Sequence, residues 1–380
     1  MFSNVAIIHD WLVDSGGAEK VVAAFLDIFP DADLYTTVCY MNDTQLAELG
    51  YGKPVNTSFI QKLPLAKRYY RTYFPLMPFA VEQFDLSKYD LIISSSSSVA
   101  KGVITSPDNL HICYCHSPMR YAWDMQGQYL RDSGLEKGLT SLLARFFLAM
   151  ARTWDVRSSF GVDKFVANSH FIAHRINKCY RRESAVIHPP VDTHSFSLAP
   201  EKSDYYVVCC RLVPYKRVDL IVEAFNRMPD KKLIVIGGGP ELQKITAMAK
   251  SNITVAGRLA FSQLKEHLAR SKAFVYAAEE DFGIVLVEAL ASGAPVIAYS
   301  RGGASEIVEH GKTGIHFHSQ RAEAIIEAIS LFEREGIEYS PSEIKESAER
   351  FSKENFVTKF NQFLSVSKEK EIAVTEGEPA

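Results

Sequence analysis

Several classes of protein are excluded by what this chain has little of. Its 380 residues include six cysteines, too few for a disulfide-built secreted scaffold and suited to a reducing compartment as buried thiols. No apolar run approaches the roughly 20 residues that a membrane-spanning helix needs. The opening MFSNVAIIHDW has neither the basic start nor the small-residue cleavage site of a signal peptide, so a cytoplasmic protein is expected. Positive charge is not in excess either: 42 Lys and Arg against 45 Asp and Glu leave a formal net charge of -3, which speaks against nucleic acid as a partner. With 47% hydrophobic and 23% charged residues the composition is that of a folded globular protein. A chain of this length exceeds one comfortable hydrophobic core, so two domains are expected.

Metal-ligand patterns are scarce as well. His111 to His116 reads HICYCH, but strand alternation puts His111, Cys113 and Cys115 on one face and His116 on the other. Zinc ligand pairs usually bracket a turn instead. Asp31-Ala32-Asp33 spells the D-x-D of metal-using sugar transferases, yet it follows Phe29-Pro30 at a helix exit and is read as a surface turn.

What the sequence does contain is an alternation of short apolar runs and helical patterns. Strands are expected at Val5 to Trp11, from Asp90 (DLIISS), at HICYCH, from Asp163 (DKFVANS) and from Ala185 (AVIHPPV), with a helix over Ala18 to Phe29. Alternation of this kind gives a parallel sheet covered by helices on both faces. After a stretch rich in Pro, Ser and His the alternation restarts, with strands YYVVCCRL, KLIVIGGGP, ITVAGRL, AFVYAA and GAPVIAY and a helix RVDLIVEAFNRM. The reading is α/β: two doubly wound, Rossmann-like domains facing a cleft, over residues 1–188 and 204–365, with a linker at 189–203 and a polar, frayed tail at 366–380.

Ligands of open parallel sheets bind beyond the carboxyl ends of the strands, which gives a short list of candidates. Glu280 follows the strand AFVYAA, and Glu288 lies just over a turn inside a helix expected at Ile284 to Ser292, stopped by Gly293 and Pro295. The free N–H groups of Gly283, Ile284 and Val285, beside Phe282, open that helix toward the ligand side. Carboxylates there would repel a phosphate, so they suit hydroxyl groups of a sugar or a ribose. Arg211 and Lys216, around the strand exit CCRLVPYKRVD, supply the cations for a diphosphate. Gly16 and Gly17 stand between the first strand and its helix, where backbone can approach a ligand; neither they nor Gly237 in IGGGP complete a Walker or dinucleotide fingerprint. His116 closes its strand before Ser117-Pro118 and is a candidate to hydrogen-bond a reacting sugar, with a structural histidine as the alternative.

Together the glycine pair, His116, the Arg/Lys pair in RLVPYKRVD and E-x7-E in EDFGIVLVE followed by ALASGAPVIA resemble the family 4 retaining glycosyltransferases of the GT-B fold, over nearly the whole chain. DLIISSSSSVAKGV and HICYCHSPMRYAWD are similar to bacterial O-antigen mannosyltransferases that use GDP-mannose. The resemblance implies an acceptor-binding first domain and a nucleotide-sugar-binding second one. It implies that Arg211 and Lys216 hold the donor diphosphate, Glu280 the transferred sugar and Glu288 the ribose, with His116 beside the sugar and Gly16-Gly17 approaching the diphosphate. Arg258, in AGRL, is expected at the base or diphosphate. Asp281 stands where the family often has glycine, so the local turn is expected to differ slightly. No cofactor and no metal are expected, because cations and a helix N-terminus stabilise the leaving group.

A lipid-linked saccharide acceptor would require the protein to work peripherally on the cytoplasmic face of the inner membrane. The basic, aromatic stretch at 62–74, with Lys62, Lys67, Arg68 and Arg71 among Tyr69, Tyr70, Tyr73 and Phe74, suits such a contact; an ordinary surface excursion fits it equally. Ser94 to Ser98 fits acceptor hydroxyls or phosphate, or a plain polar loop. Two further readings stay open: a family 4 transferase with a UDP-sugar donor, and a nucleotide-sugar hydrolase or epimerase on the same fold.

Overall fold

The structure, a computed structural model, describes residues 2–14 and 16–375, with side chains described to residue 368. The chain forms two compact units, residues 1–189 together with 356 onward, and residues 190–355.

The first unit is built on seven parallel strands: β1 (Val5–His9), β2 (Asp33–Thr36), β3 (Asn56–Thr57), β4 (Leu91–Ser96), β5 (Leu110–Cys115), β6 (Lys164–Ala167) and β7 (Ser184–Val186), in the order β3-β2-β1-β4-β5-β6-β7. β1, β4 and β5 are buried along their whole length, as strands covered on both faces must be. Val5 and Ile7 point toward the Gly17–Ile28 helix, while Ala6 and Ile8 point to the other face, onto Met77, Ala80 and Val81. β2 and β3 escape the sequence reading because four and two residues carry too little alternation. Asp33 starts β2 instead of sitting in a surface turn: its carboxylate accepts from the Tyr89 hydroxyl at 2.6 Å and the Lys88 ammonium at 3.1 Å.

The second unit has six parallel strands: β8 (Tyr206–Cys209), β9 (Leu233–Ile236), β10 (Ile253–Gly257), β11 (Ala273–Tyr276), β12 (Val296–Tyr299) and β13 (Gly314–Phe317), in the order β10-β9-β8-β11-β12-β13. Apolar clusters cover both faces of this sheet.

Two expectations about the ends of the domains need correction. Residues 189–203 are not a free linker: Val191 pairs with Ser352 as a β-bridge, and Val191 and Phe196 are buried in the second core. The second domain does not run to 365, nor does a frayed tail begin at 366, because one helix spans Lys353–Thr375. Phe356, Phe360 and Leu364, four residues apart, share a helical face buried in the first core. The Phe360 ring lies 4.8 Å from that of Phe25. Residues 376–380 of the expected tail lie outside the described residues.

Candidate active site

In both sheets the chain reverses its winding direction between two neighbouring strands, β1 and β4 in the first unit and β8 and β11 in the second. Loops leaving such a pair part to opposite sides and leave a crevice at the carboxyl ends. The candidate residues gather at these two places.

In the second unit, β8 ends at Cys209 and the chain turns through Pro214–Lys216 before the Val218–Asn226 helix. Arg217 makes the reversal with φ 54, a left-handed conformation that costs a non-glycine residue free energy and is common where function fixes the backbone. It leaves Lys216 over the end of β11. There the Lys216 ammonium donates to the Tyr276 hydroxyl at 2.8 Å and pairs directly with Glu280, and the Tyr276 hydroxyl donates to Glu280 Oε1 at 3.0 Å. Burial opposes the charge on Lys216, but the Glu280 carboxylate outweighs it and holds the ammonium well above the usual lysine range. An ammonium has three N–H groups. Tyr276 and Glu280 take two.

The backbone around this triad is fixed by close approaches. Gly303 N–H donates to Glu280 O at 2.9 Å, and a Cβ on Gly302 would stand 2.0 Å from that same oxygen. Gly237 is needed for a similar reason: its Cβ would stand 1.9 Å from Cys210 O. The glycines of IGGGP thus let two strand exits touch. Gly238 carries the Arg258 side chain, whose Nε would be 2.9 Å from a Cβ there. Arg211 and Arg258 are exposed, and neither forms an ion pair among the described residues.

The helix after Glu280 runs Ile284–Ala291, with Gly283 as its N-cap at φ 99, as the spacing of EDFGIVLVEALASGAP predicts. Ile284 and Val285 are half-buried in its first turn, where N–H groups lack intrahelical acceptors. Phe282 is buried against Phe351, ring centres 5.6 Å apart, so only its backbone can face a ligand. Glu288 is buried on the side of Cys209, whose thiol is pushed up to about 12 by burial first and by Cys210 and Glu288 after it.

In the first unit, the candidates Gly16 and His116 are joined by residues that the sequence reading left out. Gly16 N–H donates to Glu19 at 3.0 Å, Glu19 lies 3.5 Å from His9 Nε2, and His9 Nδ1 lies 3.1 Å from Ser95 Oγ. Ser95 Oγ in turn lies 2.8 Å from His116 Nε2. Gly17 is the first residue of the helix that carries Glu19. Burial opposes a charge on His9, yet Glu19 overrides it and raises the imidazole, while burial and then the neighbouring His9 push His116 down to about 4. His9 also meets the Ser95 carbonyl at 3.2 Å, which can only accept. His9 Nδ1 therefore carries a proton, the Ser95 hydroxyl turns toward His116, and neutral His116 keeps its own proton on Nδ1. That N–H has no hydrogen-bond partner among the described residues.

Asp10 braces the same corner. Its carboxylate accepts from Ser97 N, Val99 N and Ala100 N at 2.6–2.8 Å. The serine run is engaged internally, with Ser94 on His111 at 2.8 Å, Ser97 on Asp10 at 2.9 Å and Ser98 on Tyr121 at 2.6 Å. His111 also bonds Gly161 O at 2.9 Å, so both its nitrogens are engaged. Among the described residues no group of three or more His, Cys, Asp or Glu is placed to hold a metal ion.

Comparison with known proteins follows the same division. The profile described as Glycosyltransferase Family 4 matches residues 15–195, and that described as Glycosyl transferases group 1 matches residues 191–356. A GDP-mannose-dependent alpha-(1-6)-phosphatidylinositol monomannoside mannosyltransferase of Mycolicibacterium smegmatis is 32% identical over 214 residues, 48% of this chain and 56% of that one. A D-inositol 3-phosphate glycosyltransferase of Mycobacteroides abscessus is 29% identical over 216 residues, 49% of this chain and 48% of that one. The chain thus spans about half the length of these curated relatives. Among solved structures, Anabaena HepE in complex with UDP-glucose superposes with a TM-score of 0.67 at 18% identity, covering 95% of this chain and 99% of that one.

Proposed function

Since this chain belongs to the family 4 glycosyltransferases, with the two parallel α/β units of the GT-B fold, we propose that it moves mannose from GDP-mannose to a lipid-linked saccharide with retention of configuration. The setting proposed is bacterial O-antigen or related polysaccharide synthesis on the cytoplasmic face of the inner membrane. The observation that carries the reading is the Lys216–Tyr276–Glu280 triad at the β8/β11 switch point. The names of mannosyltransferring relatives, one of which acts on a phosphatidylinositol mannoside, support the sugar and the lipid character of the acceptor.

The chain's own residues divide the work. Breaking the bond between sugar and diphosphate leaves negative charge on the leaving group, and groups aimed at that charge lower the barrier. The third N–H of Lys216 and the exposed Arg211 guanidinium supply two, and the first turn of the Ile284–Ala291 helix adds dipole. Glu280, hydrogen-bonded to Tyr276, is assigned to hydroxyls of the sugar, and Glu288 to the ribose. Arg258, whose side chain lies against Gly238, is assigned to the base or diphosphate. His116, neutral and with its proton on Nδ1, donates to the sugar, while Gly16-Gly17 approach the diphosphate. In retention the acceptor attacks the face from which the diphosphate departs, so the leaving phosphate itself takes the acceptor's proton.

A panel of GDP-mannose, UDP-glucose, UDP-galactose and UDP-N-acetylglucosamine, incubated with protein and a lipid extract rich in undecaprenyl-linked saccharides, tests this. Release of GDP with formation of an α-mannoside is expected. Release of UDP alone would move the donor to the uridine class, and nucleotide release independent of any acceptor would favour a hydrolase.

A further inference from the structure

The stretch at 62–74 turns its four cations and Tyr69 outward and its other aromatic rings onto the protein. Tyr70 is buried, Phe74 packs edge-on against Tyr121 at 5.3 Å, and the Tyr73 hydroxyl donates to Pro64 O at 2.8 Å. A longer run of exposed apolar side chains lies elsewhere. The helix Gly138–Ser158 carries Leu139, Leu142, Leu143, Phe146, Phe147 and Met150 at spacings of three and four, which is one helical face. These six side chains are 82, 65, 56, 58, 39 and 55% exposed. Single exposed apolar residues are ordinary, but a continuous stripe of six marks an interaction surface.

The helix is held with that stripe outward. On its opposite side Ser141, Ala151 and Asp155 are buried, and Asp155 pairs with the buried Lys101 and accepts from Trp123 Nε1 at 2.7 Å and the Tyr180 hydroxyl at 2.9 Å. Leu148 and Trp154 pack on the same apolar cluster as Met77, Ala80 and Val81. The helix and the 59–81 segment therefore cover the same face of the first sheet. Both are basic. From 138 to 158 the charged residues are Arg145, Arg152, Arg157 and the buried Asp155. Residues 49–81 hold Lys53, Lys62, Lys67, Arg68 and Arg71 and no acid, with Leu65 and Phe79 exposed beside them.

We propose that the Gly138–Ser158 helix docks the first unit on an anionic phospholipid bilayer. It lies in the interface plane with its apolar stripe among the acyl chains, the exposed Arg145 and Arg157 at the phosphates, and the cations of 62–71 as a flank. No helix among the described residues is long and apolar enough to cross a membrane, and an amphipathic helix whose one acid is buried, with flanking cations, has the chemistry of in-plane binding. The inference deepens the lipid-linked-acceptor reading and rests on it for its role.

The test is sedimentation of the full chain with vesicles of phosphatidylglycerol and phosphatidylethanolamine, against vesicles of phosphatidylcholine alone. Binding to the anionic vesicles is expected, falling at least tenfold in the triple variant Leu143→Gln, Phe146→Gln, Met150→Gln with melting temperature and GDP-mannose binding unchanged. Lys67→Ser, Arg68→Ser, Arg71→Ser together should weaken binding at low salt and leave a salt-insensitive remainder. Absent wild-type binding at low salt, or a triple variant that binds as well as wild type, overturns the proposal. So does a dimer in analytical ultracentrifugation that the triple variant dissolves while vesicles are ignored, because a second copy then covers the stripe. GDP-mannose binding measured without vesicles keeps the two readings apart: its loss with vesicle docking intact sinks the donor assignment and not the docking.

Discussion

Ser95 Oγ lies 2.8 Å from His116 Nε2, and the same oxygen meets His9 Nδ1 at 3.1 Å, so one hydroxyl ties the carboxyl ends of β1 and β5 across β4. The tie settles which nitrogen of His116 carries the proton. Ser95→Ala releases it, and turnover with GDP-mannose should fall roughly tenfold or more, about 1.4 kcal/mol of barrier, while donor KM changes little. Ser95→Thr keeps the hydroxyl and should restore most of the rate. Equal activity in both variants would remove the positioning role.

The pH dependence of stability has a predicted sign. Burial holds His116 and His111 down to about 4 in the folded state, against an ordinary value of about 6.5 in the unfolded chain. Below that unfolded value the unfolded state takes up protons that the folded state refuses, so stability is present above it and lost as pH falls toward 4. His9, raised by Glu19, acts oppositely and gives up its contribution as pH rises. Denaturant midpoints at pH 7, 6 and 5 should decline. His111→Asn should make the decline shallower, and an unchanged slope would contradict the account.

Lys101 and Asp155 form a buried pair, and removing one partner strands the other's charge. Lys101→Met should cost about 3–5 kcal/mol of unfolding free energy. Lys101→Met with Asp155→Leu should recover part of it in urea titration. A single variant as stable as wild type would show that the pair is dispensable.

Transfer should survive excess chelator, because Lys216, Arg211 and the helix N-terminus are assigned the charge work. Abolition by chelation with restoration by manganese would reopen a metal role and overturn that assignment.

Local signals were legible in the sequence, and long-range ones were not. E-x7-E, Gly283 and the helix start at Ile284 sit within a dozen residues, and the spacing alone predicts the observed geometry. Arg211 and Lys216 follow from one strand end. By contrast, His9 meets Ser95 across 86 residues, and nothing in VAIIHDW marks its last histidine as paired. Tyr276 is hidden as one more apolar position of AFVYAA. Paired glycines at 302 and 303 after a strand are a usable signal of a close backbone approach. Composition gives the last helix the look of a polar tail, although Phe356, Phe360 and Leu364 carry a helical period. For the Gly138–Ser158 helix no periodicity tells which face the fold covers; the anchor at Asp155 decides it.

Lys216 is where the account is most exposed, since its third N–H is assigned to the donor diphosphate. Isothermal titration of GDP-mannose into wild type, Lys216→Ala and Lys216→Arg measures this directly. The prediction is binding by wild type, at least tenfold weaker binding by Lys216→Ala, about 1.4 kcal/mol, and an intermediate loss in Lys216→Arg, with all three proteins folded. Equal affinity for GDP-mannose in wild type and Lys216→Ala would contradict the assignment of the donor to the β8/β11 switch point.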